Sequence, residues 1–195
     1  MRLWRYFVMI SFFLCAAANF AVDGRAQTTA NDPAKASSPA ASADPRARFT
    51  GTYRYAGSAQ EEEARRAAID HAVEGLSFIT RSTARSRVSA TTQILGSYSF
   101  SFEPGKILVR PQSRPEMISG DKGEPVDYVY NGKRSRLTQS IVGDRISQAF
   151  VSDDGRRENE FTLSKDGQVL TLNVTLTSAR LSKPVVYSLS YKKAD

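Results

Sequence analysis

The chain has 195 residues, a net charge of +7, and a single Cys, a single Trp and a single His. Trp4 and Cys15 both lie in an apolar N-terminal segment with the features of an export signal. Cleavage after Ala26 would leave 169 residues with no Cys and a net charge of +5. Such a chain has no thiol nucleophile, no disulfide and no thiolate or His-rich metal site, so we expect neither a metal nor a cofactor.

Residues 1–26 are predicted to be a signal peptide. Two arginines precede a mostly apolar stretch at 7–22, and Gly24 and Ala26 are the small residues that a cleavage site requires. A second possible cut follows Ala18. The apolar stretch is short for a bilayer span, which needs ~20 residues. We therefore expect a bacterial periplasmic or secreted protein with no stable membrane insertion after cleavage.

Residues 27–47 are predicted to be a disordered linker. They are mostly Ala, Ser, Thr, Pro and Asp, and they show no apolar period. Such a segment cannot bury enough apolar surface to offset the entropy lost on ordering. The folded unit is then predicted to be residues 48–195, which is long enough for one domain with its own core.

A short strand and a helix are predicted at the start of this unit. Residues 49–55 alternate between aromatic or glycine positions and polar positions, which indicates a strand. Ser58 and Glu61 have the spacing of a capping box, and apolar residues at helical spacing follow, including Ile69 and Ile79. We expect one helix at roughly 59–85.

After the helix the apolar period changes to two and remains so, with turn signals between the alternating runs. The signals are Pro104-Gly105, Asn131-Gly132, Gly143-Asp144, Asp154-Gly155 and Asp166-Gly167. Asn-Gly and Asp-Gly between such runs predict β-hairpins. The implied registers keep the apolar residues on one face throughout.

Four of the residue pairs that these registers imply have consequences for a binding site. They place Tyr128 opposite Ser135, Gln139 opposite Gln148, Phe150 opposite Asn159 and Gln148 opposite Phe161. The nine predicted strands form a mainly β, antiparallel up-and-down β-barrel, because closure removes exposed strand edges. One helix lies between the first and second strands. An open half-barrel around the helix is the alternative.

A resemblance agrees with this fold. The start Gly51-Thr52-Tyr53, the hairpin-linked strands and the basic end Tyr191-Lys192-Lys193 resemble the lipocalin-like, or calycin, barrels. The helix after the first strand is similar to the fatty-acid-binding branch, and residues 158–191 resemble exported bacterial lipocalin-like proteins. The resemblance implies a cavity for a hydrophobic ligand and no catalysis. The family's usual Trp is Tyr53 here.

Polar side chains are predicted on the inward face of the barrel: Gln139, Gln148, Asn159 and Ser135, with Tyr128 opposite Ser135. Unpaired buried amides cost ~1–3 kcal/mol each. Two interpretations follow. The residues either form a self-satisfied network, or they hold the polar head of a ligand in an otherwise apolar pocket.

The remaining candidate ligand-binding residues are Arg157, Phe150, Phe78 and His71. Arg157 could pair with an anionic group or extend to solvent at the barrel mouth, and Phe150 shares its inward face. Phe78 and His71 share a side of the predicted helix that could face a ligand portal, or Phe78 could pack beneath a loop. The segment 112–124 is predicted to be a loop at the mouth.

The sequence supports two functions. The first is an exported binding protein for a small hydrophobic or lipidic ligand held in the barrel. The second is an envelope interaction module with a solidly packed barrel and no ligand. We expect no enzyme and a monomer, and no nucleic-acid partner because basic residues do not cluster with aromatic ones. A lumen filled by residues such as Phe100, Phe161, Leu172 and Tyr187 would oppose the first function.

Overall fold

The computed structural model describes residues 44–195. The predicted signal peptide and most of the predicted linker lie outside the described residues. The last linker positions belong to a short helix, α1, at Pro45–Phe49, whose N-cap Asp44 accepts a hydrogen bond from the Arg46 N–H (3.0 Å). As a result, β1 begins at Gly51 rather than at residue 49.

The other elements are two helices and ten strands. They are β1 (Gly51–Tyr55), α2 (Ala59–Val73), α3 (Phe78–Thr91), β2 (Ser97–Glu103), β3 (Lys106–Pro111), β4 (Met117–Gly120), β5 (Val126–Tyr130), β6 (Lys133–Val142), β7 (Arg145–Ser152), β8 (Gly155–Leu163), β9 (Val169–Thr177) and β10 (Val185–Lys193). β4 is the strand that was not predicted, and it lies in the segment 112–124, which was predicted to be a loop.

The strands form one antiparallel sheet in the order β4-β3-β2-β1-β10-β9-β8-β7-β6-β5. The sheet curls into a nearly closed barrel, because the segment after β4 reaches β6 through an isolated bridge between Lys122 and Ser140. The mainly β, up-and-down barrel with a helical segment after the first strand is confirmed. Ten strands replace the predicted nine.

The predicted single helix is two helices. In a continuous helix the carbonyl of Ala72 would accept from the N–H of Leu76. Instead it accepts from the N–H and hydroxyl of Ser182 (3.1 and 2.8 Å), and Leu76 donates to Val73. Ser77 then caps α3, accepting from the Thr80 N–H (3.4 Å).

The break changes which residues are buried. Ile69, Ala72 and Val73 of α2 are buried as expected, whereas Ile79 is 84% exposed because it belongs to the new helix. The capping box is also absent: Ser58 is the N-cap but its side chain makes no cap hydrogen bond. Glu61 accepts from the backbone N–H of Ser190 instead (3.0 Å) and so joins α2 to β10.

Most predicted registers are confirmed, including Tyr128 with Ser135 and Gln139 with Gln148. The predicted register of β7 with β8 is wrong by two residues. Gln148 lies opposite Asn159 instead of Phe161, and Phe150 lies opposite Arg157 instead of Asn159. Gly155 is the first residue of β8 and not the second turn residue, with φ of 144°. A Cβ there would lie 2.2 Å from the carbonyl oxygen of Thr177, so the position requires glycine.

Candidate functional site

The two ends of the barrel are covered differently. One end, here called the mouth, carries the hairpin connections 112–116, 131–132, 153–154 and 178–184 and the ends of α2 and α3. Two tyrosine hydroxyls on β10 donate there to the chain after α3: Tyr187 to the Thr92 carbonyl (3.4 Å) and Tyr191 to the Leu95 carbonyl (3.1 Å). At the opposite end, Arg48 of α1 reaches Asp144 and the carbonyl of Ser164.

The middle of the barrel is filled by aromatic and aliphatic side chains. The rings of Phe100 and Phe161 lie 5.1 Å apart, and the ring of Tyr98 lies 5.2 Å from Phe161 and 5.3 Å from Tyr191. Phe161 and Leu172 have 0% and 1% of their surface accessible. A water-sized cavity beside these residues would leave part of their side-chain surface accessible. The side chains themselves therefore occupy this part of the lumen.

The three predicted inward amides form a continuous hydrogen-bonded chain. Asn159 Nδ2 donates to Gln148 Oε1 (3.2 Å), and Gln148 Nε2 donates to Gln139 Oε1 (2.6 Å). The exposed fractions of Gln139, Gln148 and Asn159 are 1%, 2% and 4%. These amides are thus buried and paired with one another, and the register correction explains why Asn159 is in line with the two glutamines.

The amide chain ends where the backbone hydrogen bonds of the barrel wall are interrupted, between β4 and the β5–β6 hairpin. Gln139 Nε2 donates across the barrel to the Ile107 carbonyl of β3 (3.1 Å) and to Ser119 Oγ of β4 (3.0 Å). Gln148 Nε2 also lies 3.5 Å from the sulfur of Met117. The gap between β4 and the β5–β6 hairpin, here called the seam, is therefore held from inside by side-chain amides.

Arg157 joins the other end of the amide chain to the helices. Its Nε donates to Asn159 Oδ1 (2.9 Å), and its Nη1 donates to the carbonyl of Thr91 at the end of α3 (2.7 Å). The side chain is half-buried at the mouth. The guanidinium therefore fixes α3 against β8 while one face of it remains near solvent.

A half-buried aromatic pair lies on the same inward face at the mouth. Phe150 is the cross-strand partner of Arg157, and its ring lies 5.6 Å from that of Tyr128 at a steep angle. Ser135, opposite Tyr128, donates to the Tyr128 carbonyl (3.4 Å). The Tyr128 hydroxyl reaches the Pro115 carbonyl (3.4 Å), which ties β5 to the loop before β4. The structure thus brings Tyr128, Ser135, Phe150 and Arg157 together.

A second arginine completes this end of the barrel. Arg114, in the 112–116 connection, lies with its guanidinium carbon 5.2 Å from the ring centre of Tyr130. Burial raises the pKa of the Tyr98 hydroxyl, and the charges of Arg157 and Arg114 oppose that rise. Burial also raises the pKa of Tyr187, and the charges of Arg157, Arg65 and Arg114 oppose that rise. Arg157 donates to the Thr91 carbonyl and Tyr187 donates to the adjacent Thr92 carbonyl, so this guanidinium lies near a buried tyrosine at the mouth.

Tyr98 and Arg114 were not among the predicted ligand-binding residues. The strict alternation of β2, with Tyr98 two residues before Phe100, was a usable signal for Tyr98. Arg114 offered less, because its position depends on the tertiary path of the 112–116 connection. Sequence position alone therefore does not show that it lies over the ring of Tyr130.

Phe78 and His71 lie apart from this cluster. Phe78, at the start of α3, is 89% exposed. His71, near the end of α2, lies 3.4 Å from a Glu74 carboxylate oxygen and 3.5 Å from Lys183 Nζ. Their role at a ligand portal stays a prediction. The contacts of His71 with Glu74 and Lys183 lie on the surface and do not have the geometry of a catalytic triad.

Two grooves lie on the outer wall of the barrel. One, of about 470 Å³, is formed by β2, β3 and the 112–116 connection. The other, of about 400 Å³, crosses the outer face of β6 to β9 and contains Glu158 and Glu160. Each of these carboxylates pairs with an arginine, Arg156 and Arg145 respectively. This face therefore presents solvent-exposed ion pairs.

Residues 44–195 lack two kinds of feature. No group of three or more potential metal-ligating side chains occurs within this range. No helix within it combines the length and apolar character needed to span a bilayer.

The fold defines the structural class: a nearly closed, antiparallel up-and-down β-barrel of ten strands, with helices after the first strand. No family model matches the sequence, and no curated protein matches it. An abundant heat soluble (SAHS) protein of Ramazzottius varieornatus is similar in structure, with a TM-score of 0.52 and 10% identity over 75% of this chain and 96% of that chain.

Two further solved structures are similar at lower scores. A Schistosoma mansoni fatty acid binding protein in complex with arachidonic acid has a TM-score of 0.48 and 14% identity, over 78% of this chain and 100% of that chain. Lipid binding protein 8 of Caenorhabditis elegans has a TM-score of 0.48 and 9% identity, over 76% of this chain and 96% of that chain. Of these three structures only the Ramazzottius protein has a TM-score above 0.5, and at 10% identity it shows a shared fold and nothing about a ligand.

Proposed function

We propose that the protein binds a small apolar ligand with an anionic end at the mouth of its barrel. The observation that carries this proposal is the half-buried pair of Phe150 and Tyr128 beside Arg157, with Arg114 on the facing connection. Aromatic rings provide apolar contact, and guanidinium groups bind carboxylates in a fixed geometry. Most small-molecule pockets combine an apolar lining with a few polar groups in this way.

The mouth supports this function better than the deep lumen does. The middle of the barrel is occupied by Phe100, Phe161 and Leu172, each at most 2% exposed. The amides below the mouth donate to one another and to the backbone, so a ligand that used them would have to break those bonds. A ligand at the mouth needs only to displace water from half-buried surfaces.

Titration with a fluorescent fatty acid, cis-parinaric acid, tests the proposal. Arg114→Gln and Arg157→Gln should each weaken saturable binding by at least tenfold, roughly the loss of one charge-assisted contact. Arg134→Gln is the matched control, because Arg134 is exposed on β6 and forms no ion pair within the described residues. Thermal unfolding separates lost binding from lost folding in Arg157→Gln.

The outcomes of this titration are distinct. Saturable binding that both mouth variants weaken supports the proposal. Absence of saturable binding to the wild-type protein overturns it. Binding that the mouth variants leave unchanged also overturns it, because the ligand would then lie elsewhere.

The second candidate function is an interaction module without a ligand. The filled middle of the barrel, with Phe161 at 0% and Leu172 at 1% exposure, favours it. Native mass spectrometry of protein isolated from its own host distinguishes the two. A co-purifying small molecule favours the binding protein, and a bare chain together with no parinarate binding favours the module.

The proposal includes export of a monomer. The supporting feature is the charged, apolar and small-residue pattern of residues 1–26. In the same native mass spectrum, the expected result is a single chain with the mass of residues 27–195. A mass that retains residues 1–26, or a dimer, would contradict this part.

A further inference from the structure

The outer wall carries two like charges directly opposite each other. Arg54 of β1 and Lys192 of β10 are cross-strand partners, and both side chains are exposed. Like charges at directly opposed positions destabilise a sheet. Among the ion pairs within residues 44–195, none includes Arg54 or Lys192. No carboxylate within the described residues therefore lies at ion-pair distance from either cation, although Glu61 reaches Ser190, two residues before Lys192.

The larger outer groove begins beside this pair. Arg54 lies opposite Ser97 on its other side, and Ser97 and Ser99 form one wall of the 470 Å³ groove. Ser99 Oγ lies 2.8 Å from Thr52 Oγ1, and Ser99 is opposite Arg110 in the next strand. The groove therefore combines hydroxyl groups with guanidinium groups, continuous with the pair Arg54 and Lys192.

The positive charges are spread across four neighbouring strands. The strand order β10, β1, β2, β3 places Lys192 and Arg110 three strand spacings apart, which is roughly 14 Å. Arg110 also pairs with Glu116 (3.0 Å), so one cation is already partly balanced. A single carboxylate or phosphate cannot contact charges this far apart, whereas a chain of repeated anionic groups can.

We propose that this wall, formed by Arg54, Lys192 and the Ser97–Arg110 groove, binds an acidic polysaccharide. Serine and threonine hydroxyls can exchange hydrogen bonds with sugar hydroxyls, and the cations can pair with carboxylate or sulfate groups. The residues that line the groove include no aromatic ring on which nucleic-acid bases would stack. They also include no large apolar side chain that would insert into a membrane.

The probe is heparin, with uncharged dextran as the neutral counterpart. The test variant is Arg54→Ser with Lys192→Ser. The matched control is Arg87→Ser with Arg134→Ser, which removes the same charge from two exposed arginines without ion pairs among residues 44–195. Affinity is measured by titration at several salt concentrations, since counterion release makes the binding of a polyanion salt-dependent.

The expected result is heparin binding that the test variant weakens at least tenfold and the control weakens at most about twofold. No binding of dextran is expected. Equal losses in both variants would overturn the proposal, because they would reflect net charge alone. Tighter binding of single-stranded DNA or of anionic vesicles than of heparin, at equal charge, would also overturn it. Parinarate binding should not change in the test variant, so this inference and the proposed function fail independently.

Discussion

The barrel is closed by backbone hydrogen bonds on one side and mainly by side chains on the other. From β6 to β10 each strand pairs with the next over seven or eight residues. At the seam, one isolated bridge, Lys122 with Ser140, is supplemented by the hydrogen bonds of Gln139 to Ile107 and Ser119. Buried amides can therefore join two strands where backbone hydrogen bonds are missing, so a polar interior is not by itself a ligand site.

The largest expected effect is on the backbone-paired side. Phe161→Ala removes a fully buried ring that contacts Phe100 and Tyr98, and it should lower the free energy of unfolding by ~3–5 kcal/mol. Phe78→Ala is the matched control, because the same atoms are deleted from a side chain that is 89% exposed. Its effect should stay within ~0.5 kcal/mol.

Urea denaturation of both variants measures this difference. A loss below about 1 kcal/mol in Phe161→Ala would mean that the interior rearranges easily, and the filled lumen would then be no obstacle to a deeply bound ligand. A large loss in Phe78→Ala would mean that this exposed ring has a structural partner.

A smaller effect is expected at the seam. Gln148→Leu removes the middle of the amide chain and leaves Gln139 Oε1 and Asn159 Nδ2 without their partners. Each orphaned buried group costs ~1–3 kcal/mol. Amide hydrogen exchange should then rise first in β4 and in the part of β6 near Gln139, because this is where side chains replace the backbone ladder.

The double variant Gln139→Leu, Gln148→Leu sharpens this result. Removal of both partners should cost less than the sum of the two single replacements, because fewer groups are left unpaired. Additive costs, or exchange that rises uniformly across the sheet, would show that the amides do not act together to hold the seam.

The sequence predicts the backbone-paired side well because its information is local. Two-residue turns set the registers of β5 with β6 and β6 with β7, and alternation sets the faces. The one register error came from Gly155, since an Asp-Gly pair does not show whether the glycine is in the turn or starts the strand. The parity was correct even so, because the shift did not exchange the two faces.

The sequence does not predict the seam or the mouth because their contacts join distant segments. Gln139 reaches Ile107, 32 residues earlier in the chain, and Arg157 reaches Thr91, 66 residues earlier. No local pattern encodes such a pair. The helix break had a similar origin, since it depends on Ser182, 110 residues after Ala72. Inward polarity could be predicted, but the partners of the polar groups could not.

The last effect is a change in the pH dependence of stability, and this change is confined to alkaline pH. Burial raises the pKa of Tyr98, Tyr187 and Tyr191 above the ordinary value of 10.0, with Arg157 opposing the rise. Between pH 10.0 and the raised values, the unfolded chain has lost these protons and the folded chain has kept them. Stability from these groups is therefore constant below pH 10 and falls as the pH rises further.

Each tyrosine that titrates only in the unfolded chain contributes a slope of ~1.4 kcal/mol per pH unit. Tyr191→Phe should make the decline above pH 10 shallower by up to that amount, while the lost hydrogen bond to Leu95 lowers stability equally at all pH values below it. Denaturation curves from pH 7 to pH 11 measure both terms. An unchanged slope in Tyr191→Phe would mean that the hydroxyl is solvated in the folded protein, and that the interior on the backbone-paired side is open to water.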